Sequence, residues 1–177
     1  MTVLFRYRRT RFVRLSFFLA LLALLPLAGC GGNQAKGPLK IGDPAPDFTL
    51  TALAGEVISL HNWRGHPVIM RFWSTDCVYC RADTPIFNKF YEKYKDRGLR
   101  VVYVNSGASQ EDVARFVNEL AIPFPVVMDE NGRVAALYRV KIVPQTIFID
   151  PDQRIDAAVP GGINEEELQK LLGKYLS

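Results

Sequence analysis

Two apolar runs, Val68–Trp73 and residues 99–105, bracket a segment whose apolar side chains recur at helical spacing, and this limits the fold more than any other feature of the chain. Ile86, Phe87, Phe90, Tyr91 and Tyr94 fall on one helix face, so residues 78–97 are predicted to form a helix that buries that face. The flanking runs are short, bounded by turn residues and apolar nearly throughout, as expected of strands covered on both sides. Strand, helix and strand make a β-α-β unit with the helix packed on the sheet. Pro85 falls inside the helix and removes a backbone donor, which predicts a kink about two turns in.

The remainder extends this pattern. Phe48, Leu50 and Ala52, a turn at Ala54-Gly55, and then Val57, Ile58 and Leu60 read as a hairpin that opens the domain at residue 41. Ser109 with Asp112 predicts a capped helix to Leu120, residues 126–128 a short strand and residues 134–138 a brief helix. Residues 145–150 and 154–159 read as two further strands. Asn164 with Glu167 caps a last helix whose inward face is Leu168, Leu171, Leu172 and Tyr175. Alternating strands and helices imply an α/β domain over residues 41–177 with a mostly parallel sheet, helices on both faces and chemistry beyond the strand carboxyl ends.

Composition matters chiefly at the N-terminus. The formal charge of +4 invites a nucleic-acid reading, but Arg6, Arg8, Arg9, Arg11 and Arg14 all precede residue 30 with no acidic residue among them. Without these five, 17 basic residues face 18 acidic ones, so the basicity belongs to the N-terminus and argues against a nucleic-acid role. Residues 1–29 have the layout of a secretory signal: an arginine-rich start, an apolar run over residues 15–25, then Leu27-Ala28-Gly29-Cys30. That tetrapeptide resembles the lipobox of bacterial lipoproteins, in which the cysteine is lipidated and becomes the new N-terminus. An uncleaved anchor is the alternative, although the run is well short of the roughly 20 residues that span a bilayer. Residues 30–40 then form a flexible tether, and membrane lipid is a partner through Cys30.

With Cys30 assigned to lipid, Cys77 and Cys80 make one pair. A disulfide closing so small a loop constrains the unfolded chain little, so it is a poor staple. As a redox centre it is well placed, because the free N–H groups and dipole of a helix start favour a thiolate at Cys77. Cys77 at the helix edge is the expected nucleophile toward a client disulfide, and Cys80, almost one turn further in, the resolving thiol. A purely structural crosslink is the bland alternative.

Several motifs together resemble a known family. GDPAPDFTL, GHPVIMRFW, the Cys-x-x-Cys and a later Val-Pro before TIFID are similar, over about residues 41–176, to the membrane-tethered TlpA/ResA-like branch of the thioredoxin superfamily. The resemblance implies a thioredoxin fold, with a central mixed sheet flanked by helices and an added N-terminal hairpin. It further implies extracytoplasmic thiol-disulfide oxidoreductase activity on protein clients without a cofactor, in c-type cytochrome maturation or related pathways, with a membrane protein as electron donor. Val143-Pro144 would be the cis-proline loop facing the disulfide, the alternative being a plain turn proline. Asp83 matches a glutamate of relatives and, at i+3 from Cys80, would relay its proton; an ordinary solvated helix carboxylate is the competing reading. Trp73 is expected to be core at its base and a lid beside the disulfide at its rim.

Three positions depart from the family pattern. Asp76 replaces a usual tryptophan, and its charge beside Cys77 would raise the thiol pKa. Tyr79 replaces a common proline. Arg71 replaces a buried aspartate or an amide, where a cation would favour a thiolate or pair with Asp76 or Asp83. Other chemistries fit less well. His61, His66, Cys77 and Cys80 look like a zinc set, but the strand between His66 and Cys77 spans about 20 Å, against metal–ligand bonds of roughly 2 Å. A peroxidase pattern, Pro-x-x-x-Thr-x-x-Cys, meets Met70 and Ser74 instead, and a copper module would need a histidine after His66.

Overall fold

The structure is a computed structural model that describes residues 39–176. The expected leader, Cys30 and most of the tether lie outside the described residues. Strands β1 (Thr49–Thr51) and β2 (Val57–Ser59) form the predicted antiparallel hairpin, turned at Gly55 with φ of 92°. After a 3-10 turn at Leu60–Trp63 come β3 (Val68–Trp73), α1 (Val78–Tyr94), β4 (Arg100–Asn105) and α2 (Gln110–Glu119). Then follow β5 (Val126–Met128), α3 (Arg133–Leu137), β6 (Gln145–Ile149), β7 (Ile155–Pro160) and α4 (Glu165–Leu172).

Five strands form one sheet in the order β5-β4-β3-β6-β7. The pairs β3·β4 and β4·β5 are parallel, whereas β3·β6 and β6·β7 are antiparallel. The sheet is therefore mixed, as the family resemblance implies, and not mostly parallel as the alternation of elements suggests. The reason lies in α3: five residues rise only about 7.5 Å, too little to carry the chain back along the sheet for another parallel strand. The hairpin joins the edge of the sheet through the Ala52–Val127 bridge and a 2.8 Å bond from the Leu53 N–H to the Val126 carbonyl.

All six residues of β3 are buried, and the twofold period of the strand sorts them. Val68, Met70 and Phe72 join Phe48, Leu60 and Tyr138 on one face; Ile69 and Trp73 join Phe87, Tyr103, Phe116 and Leu168 on the other, under α1, α2 and α4. Each fully buried side chain of this size contributes about 1.5–3 kcal/mol. Arg71 belongs to the second face by the same alternation, and its charge sets it apart from everything around it.

Helix ends follow the caps written in the sequence, with one difference. At α4 the box is reciprocal: the Asn164 side chain accepts from the Glu167 N–H at 2.9 Å, and Glu167 accepts from the Asn164 N–H at 3.0 Å. At α2 the Ser109 hydroxyl oxygen accepts from the Asp112 N–H at 3.1 Å, but Asp112 accepts from that same hydroxyl at 2.7 Å. Aspartate is one methylene shorter than glutamate and closes on the hydroxyl. Helix α1 continues through Pro85, and a 3-10 turn at Lys95–Arg97 ends on Gly98, whose φ is 96°.

A Cβ at Gly98 would lie 2.9 Å from Nδ1 of His66 in a backbone conformation that L-residues disfavour. Gly98→Ala is expected to cost about 1–2 kcal/mol in urea unfolding. Adding His66→Ala should recover only the contact part of that loss, and full recovery would show that backbone strain is not the cause.

Candidate active site

The carboxyl end of β3 delivers the chain to the first turn of α1 through Ser74, Thr75 and Asp76, with the Cys77 N–H bonded to the Ser74 carbonyl at 3.3 Å. Cys77 is the N-cap of α1: its backbone is extended, and its Sγ accepts from the Cys80 N–H at 3.1 Å. The two cysteines form a disulfide with a Cα–Cα distance of 5.2 Å. Cys77 is half-buried and Cys80 fully buried. The outer sulfur thus sits at the positive end of the helix, where backbone N–H groups without helical partners stabilise negative charge.

Asp76, beside it, is exposed and has no ion pair among the described residues. The Ser74 hydroxyl, and secondly its own backbone N–H, hold its carboxyl below the usual range. A full negative charge therefore stands next to Cys77 and works against the helix dipole.

Beneath the disulfide lies a buried polar network. Arg71, wholly inaccessible in β3, directs Nη2 to both carboxylate oxygens of Asp83 at 2.7 and 2.6 Å and Nη1 to Oγ1 of Thr146 at 2.6 Å. Its guanidinium carbon is 4.6 Å from the ring centroid of Phe87. Asp83 also accepts from the Ile163 N–H at 3.1 Å. Burial pushes the Asp83 carboxyl above its ordinary value, opposed mainly by the Arg71 charge. Arg71 pairs with Asp83 and not with Asp76. Asp83 is not a solvated helix carboxylate, because its i+3 relation to Cys80 turns it toward the sheet.

Pro144 is buried behind exposed Ile142 and Val143, and the Val143–Pro144 peptide bond is cis. Gln145 pairs with Phe72, which brings the proline loop beside the end of β3, and the Pro144 carbonyl accepts from Gly161 N–H at 2.7 Å. Trp73 requires a correction. At 1% exposure it is core throughout, its ring 4.2 Å from Phe116 and 6.0 Å from Tyr103, centroid to centroid, so no rim is left to act as a lid. The preference of a large aromatic ring for close packing outweighs its nearness to the site.

Sequence reasoning missed Thr84, Thr146 and the Ile163 amide. The Thr84 hydroxyl donates to the Cys80 carbonyl at 2.6 Å and lies 3.2 Å from the Tyr103 hydroxyl. A polar residue on an otherwise apolar face was the available signal for both threonines. Among the described residues no three His, Cys, Asp or Glu side chains converge as a metal site. His66 lies against Gly98, before β3 begins, and Cys77 follows its far end.

A sequence profile of the AhpC/TSA family matches residues 41–158. The chain belongs to the AhpC/TSA family, within the thioredoxin superfamily. It is 33% identical to the thiol-disulfide oxidoreductase ResA of Oceanobacillus iheyensis over 93% of this chain and 89% of that one. With ResA of Geobacillus kaustophilus it shares 32% identity over 77% of this chain and 79% of the other. A solved structure described as thiol:disulfide interchange protein DsbE from Chlorobium tepidum superposes with a TM-score of 0.73 at 32% identity, covering 78% of this chain and 99% of that one. This AhpC/TSA member is a thiol-disulfide oxidoreductase of the ResA/DsbE type carrying a Cys77-x-x-Cys80 pair.

Arg71→Met should cost about 3–5 kcal/mol, since it leaves a buried carboxylate without its cation, and Arg71→Met with Asp83→Leu should recover most of that loss. In the single variant nothing but hydrogen bonds offsets burial, so the Asp83 carboxyl rises further in the folded state. The folded variant then binds a proton that the unfolded chain has released, and its stability falls as pH rises from the unfolded carboxylate pKa through the folded one. Chemical denaturation from acid to neutral pH checks both, and a loss that does not grow with pH would contradict them.

Proposed function

We propose that this protein is an extracytoplasmic, lipid-anchored reductant of exported protein disulfides, acting in c-type cytochrome maturation or a related thiol pathway. Residues 1–29 are the export signal, Cys30 the lipid attachment, residues 30–40 the tether and residues 41–177 the catalytic domain. The carrying observation is the asymmetry of the pair: Cys77 is half-exposed at the N-cap of α1, and Cys80 is fully buried behind it. No described helix is long and apolar enough to cross a membrane, and a lipid at Cys30 would tether the domain without one.

In the reduced protein the Cys77 thiolate attacks one sulfur of a client disulfide, and the other client sulfur leaves as a thiolate that takes up a proton. A mixed disulfide results. Cys80 then loses its proton and attacks Sγ of Cys77, which expels the second client thiolate and leaves the Cys77–Cys80 disulfide. The client gains two electrons and two protons, and a membrane dithiol protein restores the reduced pair. Asp83, one turn beyond Cys80 on the same helix face, accepts the Cys80 proton; its upward shift makes it a better base than an ordinary carboxylate. Pro144 and the backbone before it form the wall against which the client chain is held.

Supplied with a dithiol, the protein should reduce insulin in a turbidity assay, and Cys77→Ser should abolish that activity; equal activity in the variant would sink the mechanism. Cys80→Ala should accumulate mixed disulfides with client proteins on non-reducing gels, and their absence would remove Cys80 from the resolving role. Asp83→Asn should slow resolution of a preformed mixed disulfide more than its formation. Equal slowing of both steps would argue that Asp83 only positions the helix.

A further inference from the structure

The exchange reaction brings a client cysteine into covalent contact with Cys77, and the inference drawn here rests on that reading. Bridged cysteines have Cα atoms about 5.5 Å apart, and neighbouring residues add about 3.8 Å each. The residues flanking a client cysteine therefore lie at most about 13 Å from Asp76 between Cα atoms, of the order of one Debye length at 0.1 M salt. Whatever charge Asp76 presents is sampled by every client.

That charge is uncompensated. On the side of the disulfide facing α2 there is a cleft of about 230 Å³ lined by Asp76, Arg81, Asp112, Arg115 and Glu119, with Thr75 and Phe116. Its two cations are already committed. Arg81 pairs with Glu119 at 2.9 Å and stacks 4.8 Å from the Phe116 ring centroid; Arg115 pairs with Asp112 at 3.0 Å and with Glu111 at 3.6 Å. Asp76 is the carboxylate of the cleft without a cationic partner among the described residues, and the Ser74 hydroxyl helps to keep it ionised. The opposite side of the disulfide differs in kind. Tyr79, 70% exposed and beside Gly162, and Val143, 41% exposed, present apolar surface there.

We propose that Asp76 is a specificity-determining residue, which selects client disulfides flanked by lysine or arginine. The cationic side chain enters the cleft toward Asp76, and the client residues on the other side of its cysteine rest on Tyr79 and Val143. A client with an acidic residue in the same place meets repulsion from Asp76 and from the already paired carboxylates behind it.

Competition between two otherwise identical disulfide peptides, one with lysine and one with glutamate beside the attacked cysteine, tests this with the full chain in detergent. The ratio of their kcat/KM values should be roughly five in favour of lysine at low salt and should approach one near 1 M salt, where the Debye length is about 3 Å. Asp76→Asn should bring the ratio close to one at low salt. Because any change in Cys77 reactivity multiplies both rates alike, it cancels in the ratio. Asp152→Asn, an exposed carboxylate in the β6–β7 turn at the far end of the sheet, should leave the ratio unchanged. A ratio of one in the parent, a ratio that survives Asp76→Asn, or an equal fall in Asp152→Asn would each overturn the proposal. Failure to reduce either peptide would overturn the reductase reading together with it.

Discussion

The Arg71–Asp83 pair is the contact on which the geometry of the site depends. Neither charge is tolerable alone in that core, because an unpaired buried ion costs several kcal/mol. The twofold period of β3 turns residue 71 toward α1, and the helical period of α1 turns residue 83 toward the sheet, so the two meet at 2.6 Å. A slip of α1 by one residue would rotate Asp83 by about 100° and strand both charges. An apolar contact would permit such a slip more easily, because hydrophobic attraction has little directionality. The pair thereby fixes the rotation of α1 about its own axis, which fixes where Cys77 points. The same two side chains reach Thr146 just after the proline loop and Ile163 just before α4, so four segments of the site are tied to one ion pair.

Electrostatics at the outer sulfur are a balance of opposed influences. The first turn of α1 and the Cys80 N–H favour a thiolate at Cys77, while Asp76 disfavours it. This opposition is not simply a loss of reactivity. In thiol-disulfide exchange the thiolate fraction rises as the pKa falls, but the nucleophilicity of each thiolate falls with it, and the best attacking thiol has a pKa near the ambient pH. A helix start alone carries a cysteine well below neutrality in some proteins. An adjacent carboxylate opposes the influence of the helix start and, in the proposed selectivity, also places a charge at the client's point of entry.

Much of this was legible from the chain. The β-α-β unit, the hairpin, the capped helices and the redox pair follow from periodicity and spacing, because those signals are local. The mixed sheet was not legible from alternation of elements, since strand direction there depends on how short α3 turns out to be. Trp73 was misread for a related reason: its place beside the cysteines in sequence suggested a role at the surface, but its partners Phe116 and Tyr103 come from distant segments. Arg71 stood out as a cation in the central strand and Asp83 through the family resemblance and its i+3 relation to Cys80. That they choose each other, with Asp76 left unpaired, depends on the rotation of a helix over a strand, which no local pattern encodes.

The remaining contacts of Arg71 bear on how Asp83 can change its protonation at all. In the proposed cycle Asp83 takes the Cys80 proton and becomes neutral, leaving the guanidinium buried without its counter-charge. Were Arg71 held by Asp83 alone, that step would leave it with no charged or polar partner in the core. Arg71 instead keeps a 2.6 Å bond to Thr146 and the face of Phe87 at 4.6 Å. A hydrogen bond to a charged group and a cation–π contact are made whichever protonation state Asp83 is in, so the guanidinium keeps partners when its counter-charge is neutralised. The upward shift of the Asp83 carboxyl comes from burial, which favours the neutral acid and outweighs the Arg71 charge. Thr146 and Phe87 thus hold the guanidinium in place through the change in charge of Asp83 that the proposed cycle requires.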